Sequence, residues 1–533
     1  MARVLVAEPI DAGGLEILRQ QHEVVALERC SPQELLQMVP GFDALVVRSG
    51  TEVTAEVIAA GRRLQVIGRA GVGVNNIDVD AATARGIVVV NVPDGNTIAA
   101  TEQTFALLLA LARHTAAAAA SLQAGRWERQ AFVGTELRGK TLGIVGLGRI
   151  GQEVARRAQA FGMEVCGYDP FLPAERAEAL GIHFLPMADL LARADVLTVH
   201  TPLTPQTRGL VGRAELARMR PSAFVLNCAR GGIIDERALH EALAEGRLAG
   251  AALDVFEHEP PAGNPLLALP NVVATPHLGA STREAQSASA AEVARSVCAV
   301  LAGGPVQSAV NLPALSERDW ERIQPVVRLG ELLGRIYVQA MGGRLGAVEV
   351  VAPELPGRGG EWVVASVVRG LMVGVVDDVV NLVNARAVAA AHGVRVTLAS
   401  SPEADARSLS LRVFARGGEE PRSAGGYVQA DGTLRVTDLD GMPLDMAPTR
   451  YMLVTRHDDR PGLIGRVGSV LGRAGVNIAA MLVGRRAVRG AAVMVLCVDD
   501  AVPDAALQEL RAIEQIRSVH SVELPEALLA PGS

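Results

Sequence analysis

Three short segments of the 533-residue chain carry side chains suited to oxidising an alcohol. They are Cys228-Ala229-Arg230-Gly231-Gly232, Asp254-Val255-Phe256-Glu257-His258-Glu259-Pro260 and Thr275-Pro276-His277-Leu278-Gly279-Ala280-Ser281, each at or just past the end of an apolar run. Removing a hydride from an alcohol carbon requires removing the hydroxyl proton as well, and histidine has the pKa for that work near neutral pH. A neighbouring carboxylate orients the imidazole and favours its protonated form. An arginine grips a substrate carboxylate in a bidentate manner and stabilises charge at the carbinol oxygen. Arg230, Glu259 and His277 match those roles. Taken singly, an arginine or glutamate is ordinarily a solvated charge and a histidine a satisfied structural residue. Their shared position at strand ends, where open α/β sheets bind ligands, favours the chemical reading.

A second constellation is Gly146-Leu147-Gly148-Arg149-Ile150-Gly151, which follows an apolar strand and opens an amphipathic helix. In that setting the glycines permit a tight turn and close approach of a pyrophosphate, whose charge sits at the helix N-terminus. Asp169 ends the next strand, where a carboxylate accepts hydrogen bonds from ribose hydroxyls and repels the extra phosphate of NADP. NAD is the expected cofactor. The glycine pattern alone is weak evidence; strand, glycines, helix, strand and terminal acid together are specific.

The elements that must position these groups follow from hydrophobic rhythm. From residue 1 to about 98, short apolar runs such as Val4-Leu5-Val6, Ala44-Leu45-Val46-Val47 and Leu64-Gln65-Val66-Ile67 alternate with helix-like segments. That rhythm implies parallel strands with crossover helices. A long helix is predicted over Ala99 to Leu122. A second strand-helix series starts near Lys140 and runs through Asp195 to His200, Ala223 to Asn227, Gly250 to Asp254 and Asn271 to Thr275. Continuously apolar strands of this kind belong to a doubly wound parallel sheet covered on both faces. After Asn311-Leu312-Pro313 the pattern changes to a mixed α+β segment reaching about 446, interrupted by a Gly/Pro-rich break at 353 to 360. From Tyr451 the order is βαββαβ, a small ferredoxin-like unit.

Composition excludes several classes. Residues are 49% apolar and 20% charged, which suits a globular chain of several domains. A net charge of -7 argues against a nucleic-acid surface, so any anion site must be local. The five cysteines, 30, 166, 228, 298 and 497, form no CxxC pair, so neither a disulfide framework nor a metal site is expected and a reducing cytoplasm fits. The N-terminal apolar run is stopped by Glu8-Pro9, unlike a signal peptide. The most apolar later stretch, 363 to 383, contains Arg369, Asp377 and Asp378, so no membrane span is expected.

Together, the GLGRIG turn, the Asp169 strand end, CARGGIIDE, Glu259 in FEHEP and HLGAS resemble the D-isomer-specific 2-hydroxy-acid dehydrogenases over roughly residues 1 to 312. The resemblance implies Arg230, Glu259 and His277 as the catalytic set. It implies a cofactor site of Gly146, Gly148, Arg149, Ile150, Gly151, Asp169, Thr201, Cys228, Ala229, Arg230, Asp254, His277, Leu278, Gly279 and Ala280. It further implies two Rossmann-like domains: a split substrate domain (1–98 with 286–312) and an NAD domain (99–285), in a homodimer or homotetramer whose contact includes the 99–122 helix.

Within that family, Gly68 to Asp78 and Gly95 to Glu102 are similar to the phosphoglycerate dehydrogenase branch, with Arg48, Ser49, Arg69 and Arg129 implied around the substrate's phosphate and carboxylate. The implied reaction is oxidation of 3-phospho-D-glycerate to 3-phosphohydroxypyruvate, the first step toward L-serine. Glu52 departs from relatives that carry a basic residue there, and Val72 from those with a threonine near NAD. Residues 313–446 resemble the intervening anion-binding domain of the longer enzymes, most clearly at Val380-Asn381-Leu382-Val383-Asn384-Ala385-Arg386. Residues 451–525 resemble an ACT domain, through Val454 to Gly465 and Gly475 to Ala479, which implies an L-serine effector site at His457, Asp459, Asn477 and Ile478. A glyoxylate or hydroxypyruvate reductase and a non-catalytic NAD-sensing protein remain as alternatives at this level.

Overall fold

The computed structural model describes residues 1–304, 306–342, 345–376, 379–400, 407–415 and 421–529. Five strands, β1 (Arg3–Val6), β2 (Glu23–Ala26), β3 (Ala44–Val47), β4 (Val66–Arg69) and β5 (Val88–Val90), form a parallel sheet in the order β2-β1-β3-β4-β5. β1 and β3 are apolar without alternation because both faces of the sheet are covered. Leu35, Val39, Phe42 and Ile58 pack on one face. On the other lie Val293, Ala294, Val297 and Cys298 of the helix Arg283–Leu301, which returns to this sheet from beyond the second one.

The second sheet has seven parallel strands: β6 (Thr141–Val145), β7 (Glu164–Tyr168), β8 (His183–Phe184), β9 (Val196–Val199), β10 (Phe224–Asn227), β11 (Gly250–Leu253) and β12 (Val272–Ala274). Their order is β12-β11-β10-β9-β6-β7-β8, so the direction of winding reverses between β6 and β9. Ligands bind at such a reversal, outside the carboxyl ends of the strands. The glycine turn follows β6, Arg230 follows β10, Glu259 follows β11 and His277 follows β12, all at that end.

The predicted helix over 99 to 122 is in fact two helices, Thr97–Ala112 and Thr115–Gln123, bent by 63°. His114 at the break adopts φ +52°, a left-handed conformation that ends helical propagation. Leu107, Leu108 and Leu111 of the first helix are buried in the core of the second sheet, whereas the alanine-rich second helix is largely exposed. Among the described residues no single helix is long and apolar enough to cross a membrane. Asp377 and Asp378 lie outside the described residues.

Beyond residue 312, the helices Glu317–Met341 and Gly359–Met372 pack on a mixed six-stranded sheet in which only Leu345–Ala352 and Arg395–Ser400 run parallel. Glu331, 6% exposed inside this layer, is paired with Arg335 and Arg369. The Val380 to Arg386 segment docks on the first domain, with Asn381 Nδ2 donating to the Gly86 carbonyl at 2.6 Å and Asn384 Nδ2 to that of Ala84 at 3.2 Å. The last unit is an antiparallel sheet in the order Ile478–Arg485, Ala491–Val498, Tyr451–Asp458, Ile516–Glu523, with the helices Leu463–Arg473 and Asp504–Arg511 on one face. Its other face shares a continuous core with the preceding domain through Met452, Val454, Val493, Val495 and Val522.

Candidate active site

The histidine is placed by its loop. His277 has φ +53°, and its backbone N–H donates to the Asp254 carbonyl at 2.8 Å. Fully buried Asp254 then gathers the rest of the segment: Oδ1 accepts from Leu278 N–H at 2.8 Å and from the Thr275 hydroxyl, and Oδ2 from Gly279 N–H at 2.7 Å. Gln103 Nε2 donates to Thr275 Oγ1 at 3.0 Å, fixing that hydroxyl from the long helix. Nδ1 of His277 lies 2.8 Å from Oε2 of Glu259. Both side chains remain accessible from the cleft, at 47% and 38% exposure. The three elements therefore meet, and the imidazole is aligned by a carboxylate whose other oxygen is held by Phe256 N–H at 3.1 Å.

Arg230 sits on the loop after β10, where Asn227 Nδ2 donates to its carbonyl at 2.9 Å. Burial lowers the pKa of its guanidinium and the nearby Glu259 carboxylate partly restores it. The first domain closes over this group: a Cβ built on Gly73 would stand 2.8 Å from Arg230 Nη2. Arg69 is close enough that its own pKa falls to about 10, through burial first and then through Arg230, with Glu8 opposing and Arg48 adding to the fall. Arg48 is the next member, its Nη1 donating to the Pro9 carbonyl at 3.3 Å, and Ser49 beside it is exposed. Three guanidiniums thus converge, with Glu8 acting as counter-charge on Arg69 and Glu259 on Arg230. Arg129 does not join them: it lies on an exposed turn, Arg129–Phe132, with no hydrogen bond to the cleft among the described residues.

Several of the residues expected to hold the cofactor lie at the glycine turn. Gly146 has φ +95°, and a Cβ on Gly151 would lie 2.1 Å from the Gly146 carbonyl oxygen, so the turn tolerates no side chain there. Over Gly148 a Cβ would meet nothing within 4 Å, which leaves the helix N-terminus open to an anion. Asp169 Oδ2 accepts from Leu147 N–H and Oδ1 from Phe171 N–H, both at 2.8 Å, placing the carboxylate against the turn. Thr201 Oγ1, beside Gly146, and Asn96 Oδ1 are buried with no hydrogen-bond partner among the described residues, as groups that await a polar ligand would be. These features fit a dinucleotide. Arg149 makes an ion pair with Asp94 of the first domain at 2.6 Å. Ile150 packs against the core, Ala229 is half-buried, and Leu278 and Ala280 are exposed at the cleft. The Cys228 thiol is pushed up to about 12 by burial, so it acts as a small apolar side chain and only its backbone can face a ligand.

Known proteins resemble this chain along nearly its whole length. The family model described as D-isomer specific 2-hydroxyacid dehydrogenase, NAD binding domain, matches residues 105–279. Those for the D-3-phosphoglycerate dehydrogenase intervening domain and the ACT domain match residues 322–440 and 451–515. A curated D-3-phosphoglycerate dehydrogenase from Synechocystis is 45% identical over 529 residues, covering 98% of this chain and 95% of that protein. The chain belongs to the D-3-phosphoglycerate dehydrogenase family. A Bacillus subtilis D-3-phosphoglycerate dehydrogenase, 42% identical, covers 98% of this chain and is itself covered completely. Among solved structures, the TT0316 protein of Thermus thermophilus superposes with a TM-score of 0.53 at 40% identity, over 58% of this chain and 99% of its own. A glyoxylate/hydroxypyruvate reductase from Sinorhizobium meliloti, in complex with NADP and malonate, gives 0.52 at 32% identity over 58% of this chain and 96% of its own. NAD is the cofactor of this family's dinucleotide domain, and the chain is an NAD-dependent oxidoreductase.

In the ACT domain of this family member a cavity of about 290 Å³ is lined by His457, Asp459, Arg460, Leu463, Val483 and Arg485. His457 is 2% exposed and its pKa is lowered by burial. Asp459 is paired with Arg485, which lowers its pKa. Asn477 and Ile478 do not face this turn within one chain, contrary to the sequence expectation. Ile478 pairs with Val498, the partner of Tyr451, whereas His457 pairs with Ala492 at the other end of the same strands. Asn477 Nδ2 donates to Asp499 Oδ2 at 2.6 Å. Sequence reasoning also passed over Glu8, Asn76 and Gln103, of which only Asn76, in a glycine-bounded turn, left a signal.

Proposed function

We propose that this enzyme oxidises 3-phospho-D-glycerate to 3-phosphohydroxypyruvate with NAD, the first step toward L-serine, and that Arg230, Glu259 and His277 carry the chemistry. The observation behind the substrate is the convergence of Arg48, Arg69 and Arg230 beside the His277–Glu259 pair, three cations against the carboxylates of Glu8 and Glu259, the latter also engaged by His277. A substrate with a phosphate at one end and a carboxylate at the other neutralises such a cluster; a plain hydroxy acid leaves part of it unmatched. His277 Nε2 takes the hydroxyl proton while Glu259 stabilises the imidazolium that forms. Arg230 holds the carboxylate and the oxygen on which charge develops. NAD, when bound, accepts the hydride. Arg48, Ser49 and Arg69 take the phosphate, and Asp169 reads the ribose.

In this reading residues 1–98 with 286–312 form the substrate domain, 99–285 the NAD domain, 313–446 the intervening domain and 451–525 the regulatory domain. A homodimer or homotetramer is supported by exposed apolar residues on the end of the second helix and the arm that follows it, where Leu122, Trp127 and Val133 are 59%, 78% and 77% exposed. Arg129 lies on this arm, apart from the Arg48, Arg69 and Arg230 cluster of its own chain, so a substrate contact from it would have to be made across a subunit contact. L-serine is the proposed effector, received by His457 and Asp459 of one ACT domain with Asn477 and Ile478 of another across an edge-to-edge contact. A cytoplasmic location is supported by five unpaired cysteines.

Initial rates with 3-phosphoglycerate, glycerate, lactate and hydroxypyruvate test the substrate. Strong preference for 3-phosphoglycerate is expected; comparable turnover of glycerate overturns the phosphate assignment. Binding of NADH without turnover of any of these acids would instead favour a sensing role, against which the intact His277–Glu259 pair stands.

A further inference from the structure

The loop that carries Arg48 and Ser49 is held from two sides by residues outside the reaction centre. Glu8, at the end of β1, receives its N–H groups: Oε1 accepts from Arg48 at 2.9 Å and Thr51 at 2.8 Å, and Oε2 from Gly50 at 3.2 Å. Asn76, 4% exposed between β4 and the helix Val79–Ala84, receives its carbonyls: Nδ2 donates to Arg48 O at 2.7 Å and Thr51 O at 2.6 Å. The Oδ1 of the same amide accepts from Arg69 Nε at 3.0 Å. Both carbonyls can only accept and Arg69 Nε can only donate, so the amide has one workable orientation. Its backbone is fixed as well, through Val53 N–H donating to Asn76 O at 2.8 Å.

We infer that Asn76, assisted by Glu8, is the positioning residue that sets Arg48 and Arg69 at a fixed spacing for the substrate's phosphate; this rests on the substrate reading above. One side chain touches both arginine-bearing segments, and among the described residues no other links them by hydrogen bonds. Among the described residues Arg69 is hydrogen-bonded only through Nε, which leaves its two terminal nitrogens without a partner there, close to Arg230. Like charges held together and incompletely paired are costly unless an anion arrives, so the frame that holds them is part of recognition. A neutral amide suits that task. An acid at this position would neutralise the charge a phosphate needs, and would lose both donors to the loop carbonyls.

The test uses the full-length enzyme with Asn76→Asp and Asn76→Ala. KM for 3-phosphoglycerate should rise about ten-fold or more, as loss of hydrogen bonds to a charged group and its loop implies, with kcat changed less than about three-fold. NADH affinity, read by fluorescence titration, should stay at the parent value and also reports folding. With hydroxypyruvate, which has no phosphate, kcat/KM should change by less than about three-fold. Glu8→Gln, which keeps the shape and one acceptor oxygen but replaces the other with an NH2 that cannot accept, should move KM in the same direction by a smaller factor and serves if both Asn76 variants fail to fold. KM for 3-phosphoglycerate within two-fold of the parent in every folded variant, or equal losses on phosphorylated and unphosphorylated substrates, overturns the inference. A parent enzyme that does not prefer 3-phosphoglycerate overturns the substrate reading as well; a parent that does, with variants that retain the preference, overturns this inference alone.

Discussion

Glu259 meets His277 with only one of its two oxygens, at 2.8 Å from Nδ1, because the other is occupied by Phe256 N–H. The carboxylate is fixed before it meets the imidazole, and Nε2 makes no hydrogen bond to a described residue. His277→Ala is expected to lower turnover by about a hundred-fold or more while NADH affinity changes little. Glu259→Gln should lower it less, since the ring remains in place without its stabilising charge. Steady-state rates and NADH titration check both, and near-normal turnover of His277→Ala would remove this residue from the mechanism.

Arg230 and Arg69 share one cluster but should fail differently. Charge at the carbinol oxygen grows along the reaction coordinate, so Arg230→Ala should damage kcat and KM together. Arg69→Ala should act mainly on KM for the phosphorylated substrate. The arrangement is contradicted if Arg230→Ala proves to be a defect in cofactor binding alone.

Asp169 ties itself to the glycine turn through Leu147 N–H at 2.8 Å, so one substitution touches both the proposed ribose contact and the turn. Asp169→Asn keeps an acceptor for that N–H and removes the charge; Asp169→Ala removes both. Each should weaken NAD binding and narrow the preference over NADP, the alanine variant more on affinity. Unchanged discrimination in both, measured as the ratio of kcat/KM values, would mean that another group reads the ribose.

These relationships divide what was legible in the chain from what was not. The parallel sheets, the glycine turn and the three strand-end residues could be read because each depends on neighbours within a few positions: apolar runs, glycine spacing, an acid at a strand end. Asp254 as the organiser of the His277 loop and Glu8 under the Arg48 loop could not, and the glycine-bounded turn that marks Asn76 did not show its place between Arg48 and Arg69. Each acts across tens of residues through ordinary polar side chains that carry no periodicity. The bend at His114 escaped for a different reason: alanine and leucine on both sides support helix, and only tertiary packing selects a left-handed residue there.

His200, at the end of β9, is desolvated by burial and its pKa is lowered to about 4 from 6.5. Between those values the unfolded chain binds a proton that the folded chain does not, so stability falls as pH drops from about 6.5 toward 4. His200→Gln removes that component. The loss of Tm between pH 7 and pH 5 should shrink by about 2 °C or more in the variant. It should not vanish, because burial also lowers the pKa of His22, His457 and His520. An identical pH dependence in parent and variant would show that His200 is not protonated on unfolding in this range.

The proposed regulation by L-serine would depend on residues that one chain keeps apart. His457 and Asp459 line one end of the ACT sheet, while Asn477 and Ile478 stand at the other end of its edge strand, with the Asn477 amide already donating to Asp499. Antiparallel pairing of this edge with that of a second copy sets the start of one strand against the end of the other, so a serine site of this composition requires the oligomer. L-serine should therefore bind and inhibit only in the assembled enzyme, and the coupling, typically about 1 to 3 kcal/mol, corresponds to a change in apparent affinity of roughly 5-fold to 150-fold. Asn477→Ala should weaken serine binding in calorimetry and shift the inhibition curve to higher serine, while kcat without serine stays at the parent value. Asp499→Ala separates the explanations: it frees the Asn477 amide without removing it, so serine binding should persist. If the parent gives no heat with serine, or Asn477→Ala responds as the parent does, this unit is an assembly module and the dehydrogenase reading stands unchanged.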